Sequence, residues 1–333
     1  MKNILVTGSA GFIGSNFVIH VIENNLAEKI VSLDKLTYAG NLENLKKIQN
    51  SSNHIFIKGD IGDSVLVREL LNEYQIDTII NFAAESHVDR SIENPLAFVE
   101  TNVLGTARLL HECHLYYQKN PKKNFKFHHI STDEVYGSLN DNDPSFTEVT
   151  PFAPNSPYSA SKASSDHFAR AYHHTYGLPL TISNCSNNYG PRQHPEKLIP
   201  TIIRCCFENK PIPIYGNGKN IRDWLFVQDH VEGIIQILQH GKSGETYNIG
   251  GEQELDNLSL AKMICELMDS YFIKNNIKKE FSCENLLQFV HDRPGHDFRY
   301  SVDISKMKKE FQWSPHKKTH EGLMETIEYY AHF

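Results

Sequence analysis

The chain has 333 residues, a formal net charge of −7, 40% hydrophobic residues and 22% charged residues. Those proportions belong to a soluble globular protein long enough for about two domains. The acidic balance argues against a nucleic-acid partner, and no apolar run approaches the roughly 18 residues of a membrane span.

Residues 4–7 read as an apolar strand. Gly8-Ser9-Ala10-Gly11-Phe12-Ile13-Gly14 follows as a glycine turn into a helix reaching about Asn24, and residues 30–34 as a second strand ending in Asp34. The first strand meets its turn too early for a secretory signal, whose apolar region runs at least about 7 residues. Further short strands are predicted at 54–57, 78–82, 127–131, 178–183 and 245–249, with helical patterns between most of them. Strands alternating with helices imply parallel pairing, hence an α/β fold with a doubly wound sheet of the Rossmann type. Loops rich in Pro, Gly and Asn at 189–191 and 211–218 break that rhythm. They predict a second, smaller α/β substrate lobe interleaved with the first. Residues 1–188 plus about 220–250 form the expected cofactor domain, and about 189–219 plus 251–333 the expected substrate lobe. Helices are predicted near 258–272, 305–311 and 320–331.

Gly8, Gly11 and Gly14 suit a turn whose backbone approaches a pyrophosphate, with the helix N-terminus adding oriented N–H groups and partial positive charge. Asp34 stands where a carboxylate accepts both ribose hydroxyls of an adenosine and repels a 2′-phosphate, which favours NAD over NADP. Asp60-Ile61 and Phe82-Ala83-Ala84 follow the third and fourth strands, where sheet ends face a ligand crevice. Six cysteines show no C-x-x-C pair, and eighteen histidines show no metal-ligand spacing. No metal site is expected. Reduced thiols without a signal predict a cytoplasmic protein.

The chemistry concentrates in Ser131-Thr132-Asp133-Glu134-Val135-Tyr136-Gly137 and Tyr158-Ser159-Ala160-Ser161-Lys162. Tyr158 and Lys162, four residues apart, share one face of a helix. Such a pair can take the proton of an alcohol as hydride leaves it. Asp133 and Glu134 offer an acid and a base for a further elimination. Alone, an Asp-Glu step after a strand is more often a solvated turn, and Tyr–Lys at this spacing is common on helix surfaces. Their co-occurrence behind a dinucleotide turn reverses that reading.

These residues resemble the extended short-chain dehydrogenase/reductase family, in its sugar-nucleotide-modifying dehydratase branch. The resemblance spans almost the whole chain. It runs through Asp34-Lys35-Leu36-Thr37, Ala83-Ala84-Glu85-Ser86-His87, Asn187-Asn188-Tyr189-Gly190-Pro191, Pro195-Glu196-Lys197-Leu198, Ile221-Arg222-Asp223-Trp224 and Asp292-Arg293-Pro294-Gly295-His296-Asp297. It implies NAD as cofactor, a nucleotide-sugar substrate with dTDP-glucose favoured, and loss of water from the sugar. It implies that Tyr158, its pKa lowered by Lys162 and the cofactor ring, takes the 4-hydroxyl proton. Glu134 would remove the hydrogen at C5, protonated Asp133 would release the C6 hydroxyl, and Thr132 would hold the 4-oxygen. By the same resemblance Phe12, Ile13, Asp34, Lys35, Leu36, Thr37, Asp60, Ile61, Phe82, Ala83, Ala84, Glu85, Ser86, Thr101, Tyr158, Lys162 and Asn188 are NAD contacts. Ser86, Thr132, Asn187, Lys197, Leu198, Pro213, Ile214, Tyr215, Arg222, Asn257, Asp292, Arg293, Pro294, Gly295 and His296 are the implied substrate contacts. Arg222 and Arg293 would be the cations that a diphosphate requires, and Tyr215, in a turn, would stack on the pyrimidine. A homodimer built on helices around 95–117 and 158–176 is also implied.

Four other readings share parts of this pattern. A UDP- or CDP-glucose dehydratase differs only in the base it binds. A sugar-nucleotide 4-epimerase or a UDP-glucuronate decarboxylase would use the Tyr–Lys pair but has no need of Asp133-Glu134. A catalytically silent NAD-binding protein would keep the fold alone.

Overall fold

The computed structural model describes residues 1–121 and 124–332. The first half alternates strand and helix: β1 (Asn3–Thr7), α1 (Phe12–Glu23), β2 (Lys29–Asp34), β3 (His54–Lys58), α2 (Ser64–Glu73), β4 (Thr78–Asn81), α3 (Val88–Glu93), α4 (Pro95–Phe98), α5 (Thr106–Lys119), β5 (Lys126–Thr132), α6 (Pro157–Tyr176) and β6 (Leu180–Cys185). The chain continues through β7 (Asn187–Tyr189), α7 (Leu198–Glu208), β8 (Ile212–Tyr215), β9 (Ile221–Phe226), α8 (Val227–His240) and β10 (Thr246–Ile249). It ends with β11 (Glu254–Asp256), α9 (Asn257–Lys274), β12 (Leu287–Val290), α10 (Ser305–Phe311) and α11 (Thr319–Tyr330).

Seven strands form one sheet in the order β10-β6-β5-β4-β1-β2-β3. Every pairing in it is parallel. Strands buried on both faces are apolar along their whole length, which is why β1, β2 and β4 read as short continuous runs. The chain leaves β1 toward β2 on one side and returns to β4 on the other. The carboxyl ends of β1 and β4 therefore flank a topological switch point, where ligands of doubly wound sheets bind.

Apolar side chains cover both faces of this sheet. One cluster joins Ile4, Phe17, Leu225, Ile234 and Tyr247 with Tyr300, Ile304 and Trp313. The opposite one joins Leu5, Leu71, Leu109, Phe127 and Leu180. A third core gathers Ile202, Ile214, Trp224, Ile264, Phe272 and Leu323 away from the large sheet. Around it lie the three-stranded sheet β11-β9-β7 and the two-stranded β12-β8.

Three expectations shift in the structure. The strand expected from 178 starts at Leu180, because Gly177, at φ +68°, caps α6 and Leu178 N–H donates back to Tyr172 O. Together with Gly177 N–H on His173 O, that bond closes the helix around a left-handed glycine and takes Leu178 out of the ladder. The helix expected over 95–117 is broken: α4 and α5 are joined by a π-helical segment, Val99–Gly105. Such widened turns recur at functional sites, and here the segment places Thr101 and buried Asn102. Asn102 Oδ1 accepts Glu85 N–H at 2.8 Å, and its Nδ2 donates to Glu85 O at 3.0 Å. Finally, Pro213-Ile214-Tyr215 is the end of strand β8 rather than a turn, and Gly216 and Gly218 form the turn beyond it.

Candidate active site

The glycine turn is shaped by contact distances. Gly8 has φ +64°, and a Cβ there would lie 2.7 Å from Ala83 N. A Cβ on Gly14 would lie 2.3 Å from Gly8 O, so only hydrogen allows the first helical turn to close on β1. No side chain caps α1, so its first-turn N–H groups are open to a ligand anion. Gly11, Phe12, Ile13 and Gly14 all face a cavity of about 300 Å³ at the switch point. Asp34 closes the other side. Its Oδ2 accepts Ala10 N–H and its Oδ1 accepts Leu36 N–H, both at 2.8 Å. Burial raises its pKa while the Leu36 and Ala10 bonds pull it back. Lys35 Nζ is paired with Asp60 Oδ2 at 2.7 Å, so it is not free to meet a 2′-phosphate. Backbone N–H groups at a helix start, with a carboxylate opposite, are the donor and acceptor set an adenine dinucleotide requires, and these residues fit it.

The same cavity wall carries Thr37, Asp60, Ile61, Phe82, Ala83, Ala84, Glu85, Ser86, Thr101, Thr132, Glu134, Tyr158, Lys162, Asn187, Asn188 and Lys197. Leu36 is not on it. Its φ is +56° and its side chain packs against the apolar core, leaving its N–H as its contribution. The sequence reading missed Cys185, Ser186, Gln193 and His194, which also face the cavity. Gln193 and His194 adjoin the Pro195-Glu196-Lys197 motif, a signal that could have included them.

α6 delivers the Tyr–Lys pair. Ser156 and Ser159 form a reciprocal capping box and Pro157 opens the first turn, which fixes the helix start one residue before Tyr158. Lys162 Nζ donates to Ile130 O at 2.8 Å. Burial lowers the Lys162 pKa, with Asp166 acting against it. The lowered pKa expected of Tyr158 draws on Lys162 and the cofactor ring, and the protein's other groups act against it. Burial, and then the charges of Glu134 and Cys185, push the phenol well above its ordinary value, although a hydrogen bond to Thr132 opposes them. A buried phenol beside a carboxylate holds its proton, and the Lys162 ammonium is engaged with a carbonyl.

β5 delivers the carboxylates. Thr132 Oγ1 donates to Asp133 Oδ1 and accepts Glu134 N–H, both at 3.3 Å. Asp133 is buried behind Thr132 rather than on the cavity wall. Burial, Glu134 and Asp223 raise its pKa far above the carboxylate range, and its Oδ2 has no hydrogen-bond partner. Glu134 faces the cavity. Burial raises it too, but Arg293, Arg222 and Lys197 pull it back toward the charged form. Both neighbours are raised, Asp133 the further, an environment that suits Asp133 as the acid and Glu134 as the base.

The remaining expected substrate residues lie outside this wall. Arg222 is buried, its guanidinium 4.3 Å over the Tyr300 ring. It donates to the Ile221, Phe298 and Asp297 carbonyls at 2.7 to 3.2 Å. Arg293 Nη1 lies 3.5 Å from Asp89, and its Nε is buried without a partner. His296 Nδ1 is 2.7 Å from Asp292 Oδ1, with Pro294 and Gly295 in the turn between. Tyr215 is partly exposed at the end of β8, next to Pro213. Ile214 points into the third core, which leaves only its backbone to a ligand. Leu198 packs on that same core, and Asn257 opens α9 with its N–H on Asn220 O. Among the described residues Asp229, Glu232 and His316 are close enough to share a metal ion, but none of them lines the cavity. All six cysteines are free and buried, and no described helix is long and apolar enough to cross a membrane.

A doubly wound α/β sheet with a glycine cradle at its switch point, and a Tyr–Lys pair facing a carboxylate, defines a protein of the extended dehydrogenase/reductase class. Residues 5–326 match the family described as GDP-mannose 4,6 dehydratase, and the chain belongs to that family. It is 51% identical, over 99% of its length and 93% of the relative's, to a dTDP-glucose 4,6-dehydratase of Xanthomonas campestris pv. campestris. The crystal structure of a Bacillus anthracis dTDP-glucose 4,6-dehydratase in complex with NAD superposes with a TM-score of 0.87 at 44% identity, covering 100% of this chain and 97% of that one. A UDP-glucose 4-epimerase of Thermotoga maritima reaches a TM-score of 0.86 at 28% identity, covering 100% and 99%. Fold likeness alone therefore does not separate the dehydratases from the epimerases. Residues do.

Proposed function

We propose that this protein is an NAD-dependent dTDP-glucose 4,6-dehydratase, a hydro-lyase that converts dTDP-D-glucose to dTDP-4-keto-6-deoxy-D-glucose and water. The observation that carries this reading is Glu134 and Tyr158 on one cavity wall, with buried Asp133, its carboxyl pushed up by burial and Glu134, beside them. An epimerase has no use for that acid and base. The match to curated dTDP-glucose 4,6-dehydratases over nearly the whole chain supports the same choice.

NAD⁺, when bound along Gly8–Gly14, Asp34 and Lys162, accepts hydride from C4 of the sugar, later gives it to C6, and supplies a positive ring that lowers the phenol. Tyr158 Oη takes the proton of the 4-hydroxyl. The ketone formed at C4 acidifies C5, and Glu134 removes the C5 proton. Asp133 gives its proton to the departing C6 hydroxyl, which leaves as water. Glu134 returns a proton to C5 as C6 is reduced. The cycle leaves a proton on Tyr158 and a deficit on Asp133. The Thr132 hydroxyl, hydrogen-bonded to both, gives that proton a path back. Arg222, Arg293 and Lys197 set the positive field in which a diphosphate is held.

The division into a cofactor domain (1–188 with about 220–250) and a substrate lobe (about 189–219 with 251–333) belongs to this proposal, as does a cytoplasmic location. So does a homodimer. Leu96, Val99, Leu104, Phe168 and Tyr176 are exposed on the segments expected at its interface, Leu96 by 70%, and light scattering after gel filtration reports the mass. The activity is tested by incubating the protein and NAD⁺ with dTDP-glucose and UDP-glucose in separate tubes. Loss of one water, fastest with dTDP-glucose and without standing NADH, is the expected result. Unchanged mass in both tubes, or conversion to the galacto isomer, contradicts it.

A further inference from the structure

Tyr158, Lys162 and Asp166 follow one another at steps of four along α6, and all three are buried. A stripe of α6 facing β5 would be apolar if it served packing alone; instead it grips the strand with polar atoms. Lys162 Nζ holds Ile130 O at 2.8 Å. Asp166 Oδ2 accepts the Ser131 hydroxyl at 2.7 Å and the Asn184 amide at 3.3 Å. That same amide donates to Thr132 O at 3.1 Å. The other carboxylate oxygen lies 3.3 Å from His129 Nε2. Ile130 and Ser131 are thus held directly by this face of the helix, and Thr132 through Asn184 of β6, which Asp166 also holds; the next two residues are Asp133 and Glu134.

We infer that Asp166 is a positioning residue for the elimination step: it fixes the end of β5 so that Asp133 and Glu134 meet the sugar that Tyr158 has engaged. This rests on the dehydratase reading above. A buried carboxylate is a poor choice for stability alone, since well-packed apolar groups often serve as well or better. Its directional bonds to Ser131 and, through Asn184, to Thr132 fix the place of the arm. The elimination requires that place to be right to a fraction of an ångström, and a misplacement of about 1 Å can cost about a hundredfold in rate.

The test is a single turnover of the NAD-loaded protein with dTDP-glucose, quenched at intervals and read by mass spectrometry. The readout is the keto sugar that has lost two hydrogens but no water. In Asp166→Asn, and in Ser131→Ala as a milder variant that leaves the carboxylate in place, that sugar should live at least about tenfold longer than in the wild type. KM and the rate of its formation should stay near wild type. Formation slowed with unchanged decay would overturn the proposal, because it would place Asp166 with the charge of Lys162 instead. Wild-type rates in the folded fraction of both variants would overturn it too, leaving Asp166 a structural residue. A wild-type control that never loses water would instead count against the dehydratase reading itself.

Discussion

At the cofactor end of the cavity the wall is mostly backbone: the Gly8–Gly14 turn, the start of α1 and the carboxyl end of β1, with Asp34 held by two N–H groups. At the reacting end it is side chains brought from β5, α6, β7 and the start of α7, and the polar atoms there are only partly satisfied. Asn187 Oδ1 and Gln193 Oε1 on the wall, and Asp133 Oδ2 and Arg293 Nε beyond it, are buried without hydrogen-bond partners. Buried polar groups are usually paired, and each exception calls for an explanation. A cofactor that is kept and recycled suits a rigid cradle. A substrate that enters, reacts at three carbons and leaves suits a wall whose polar atoms are completed by the ligand.

The largest effects expected from this contrast are chemical. Tyr158→Phe and Glu134→Gln should each lower kcat by about 10²–10⁴-fold, the range for loss of a positioned acid or base. They should leave NAD binding and melting temperature near wild type. Glu134→Gln should still oxidise C4, whereas Tyr158→Phe should not; rapid-quench mass spectrometry separates them. Equal loss of both steps in both variants would erase the division of labour at the reacting end.

A change in the cradle should act the other way. Gly14→Ala forces a Cβ to 2.3 Å from Gly8 O, an overpacking that costs about 1–3 kcal/mol. NAD should bind about tenfold or more weakly by titration calorimetry, with kcat recovered at saturating NAD. A kcat that stays depressed at saturation would mean that the two ends are not separable.

How far this contrast was legible in sequence follows from how each end is made. Gly8, Gly11, Gly14 and Asp34 lie within one strand–helix–strand unit, so their spacing alone defines the cradle. Thr132, Asp133, Glu134, Tyr158 and Lys162 were legible because strand and helix place them with fixed periodicity. The field around them was not. Burial is a tertiary property, and no linear pattern shows that it pushes the Tyr158 phenol up. Arg222 could be read as a cation but not as one engaged with the 297–298 carbonyls and the Tyr300 ring. Ile214 and Leu36 show the same gap: each stands in an expected contact motif, while its side chain faces the core. Asp166, His230 and Asn184 went unnoticed because nothing in a linear pattern marks a buried polar group on a helix or strand that otherwise reads as packing.

His230 leads to a prediction about the whole fold. His128 and His230 are fully buried, and burial pushes each down to about 3. The unfolded chain protonates them at about 6.5. Between those values the unfolded state binds protons that the folded state does not. The contribution of these two histidines should therefore be flat above about pH 6.5 and fall by about 1.4 kcal/mol per pH unit for each below it, while Asp133, raised by burial, works in the opposite sense. Urea denaturation between pH 5 and 7.5 checks this, and His230→Gln should flatten part of the slope. The smallest effect is at the entry to α6. Ser156→Ala removes the cap before Tyr158 and should cost about 1 kcal/mol, a shift of a few degrees in melting temperature, with KM for the sugar nucleotide unchanged.

The central claim is that one cavity removes hydride from C4 and returns it to C6 of the same sugar after water has left. Substrate carrying deuterium at C4 tests this most directly, with the product read by NMR. The account predicts deuterium in the C6 methyl group. Deuterium retained at C4, or lost to solvent with none at C6, would contradict it.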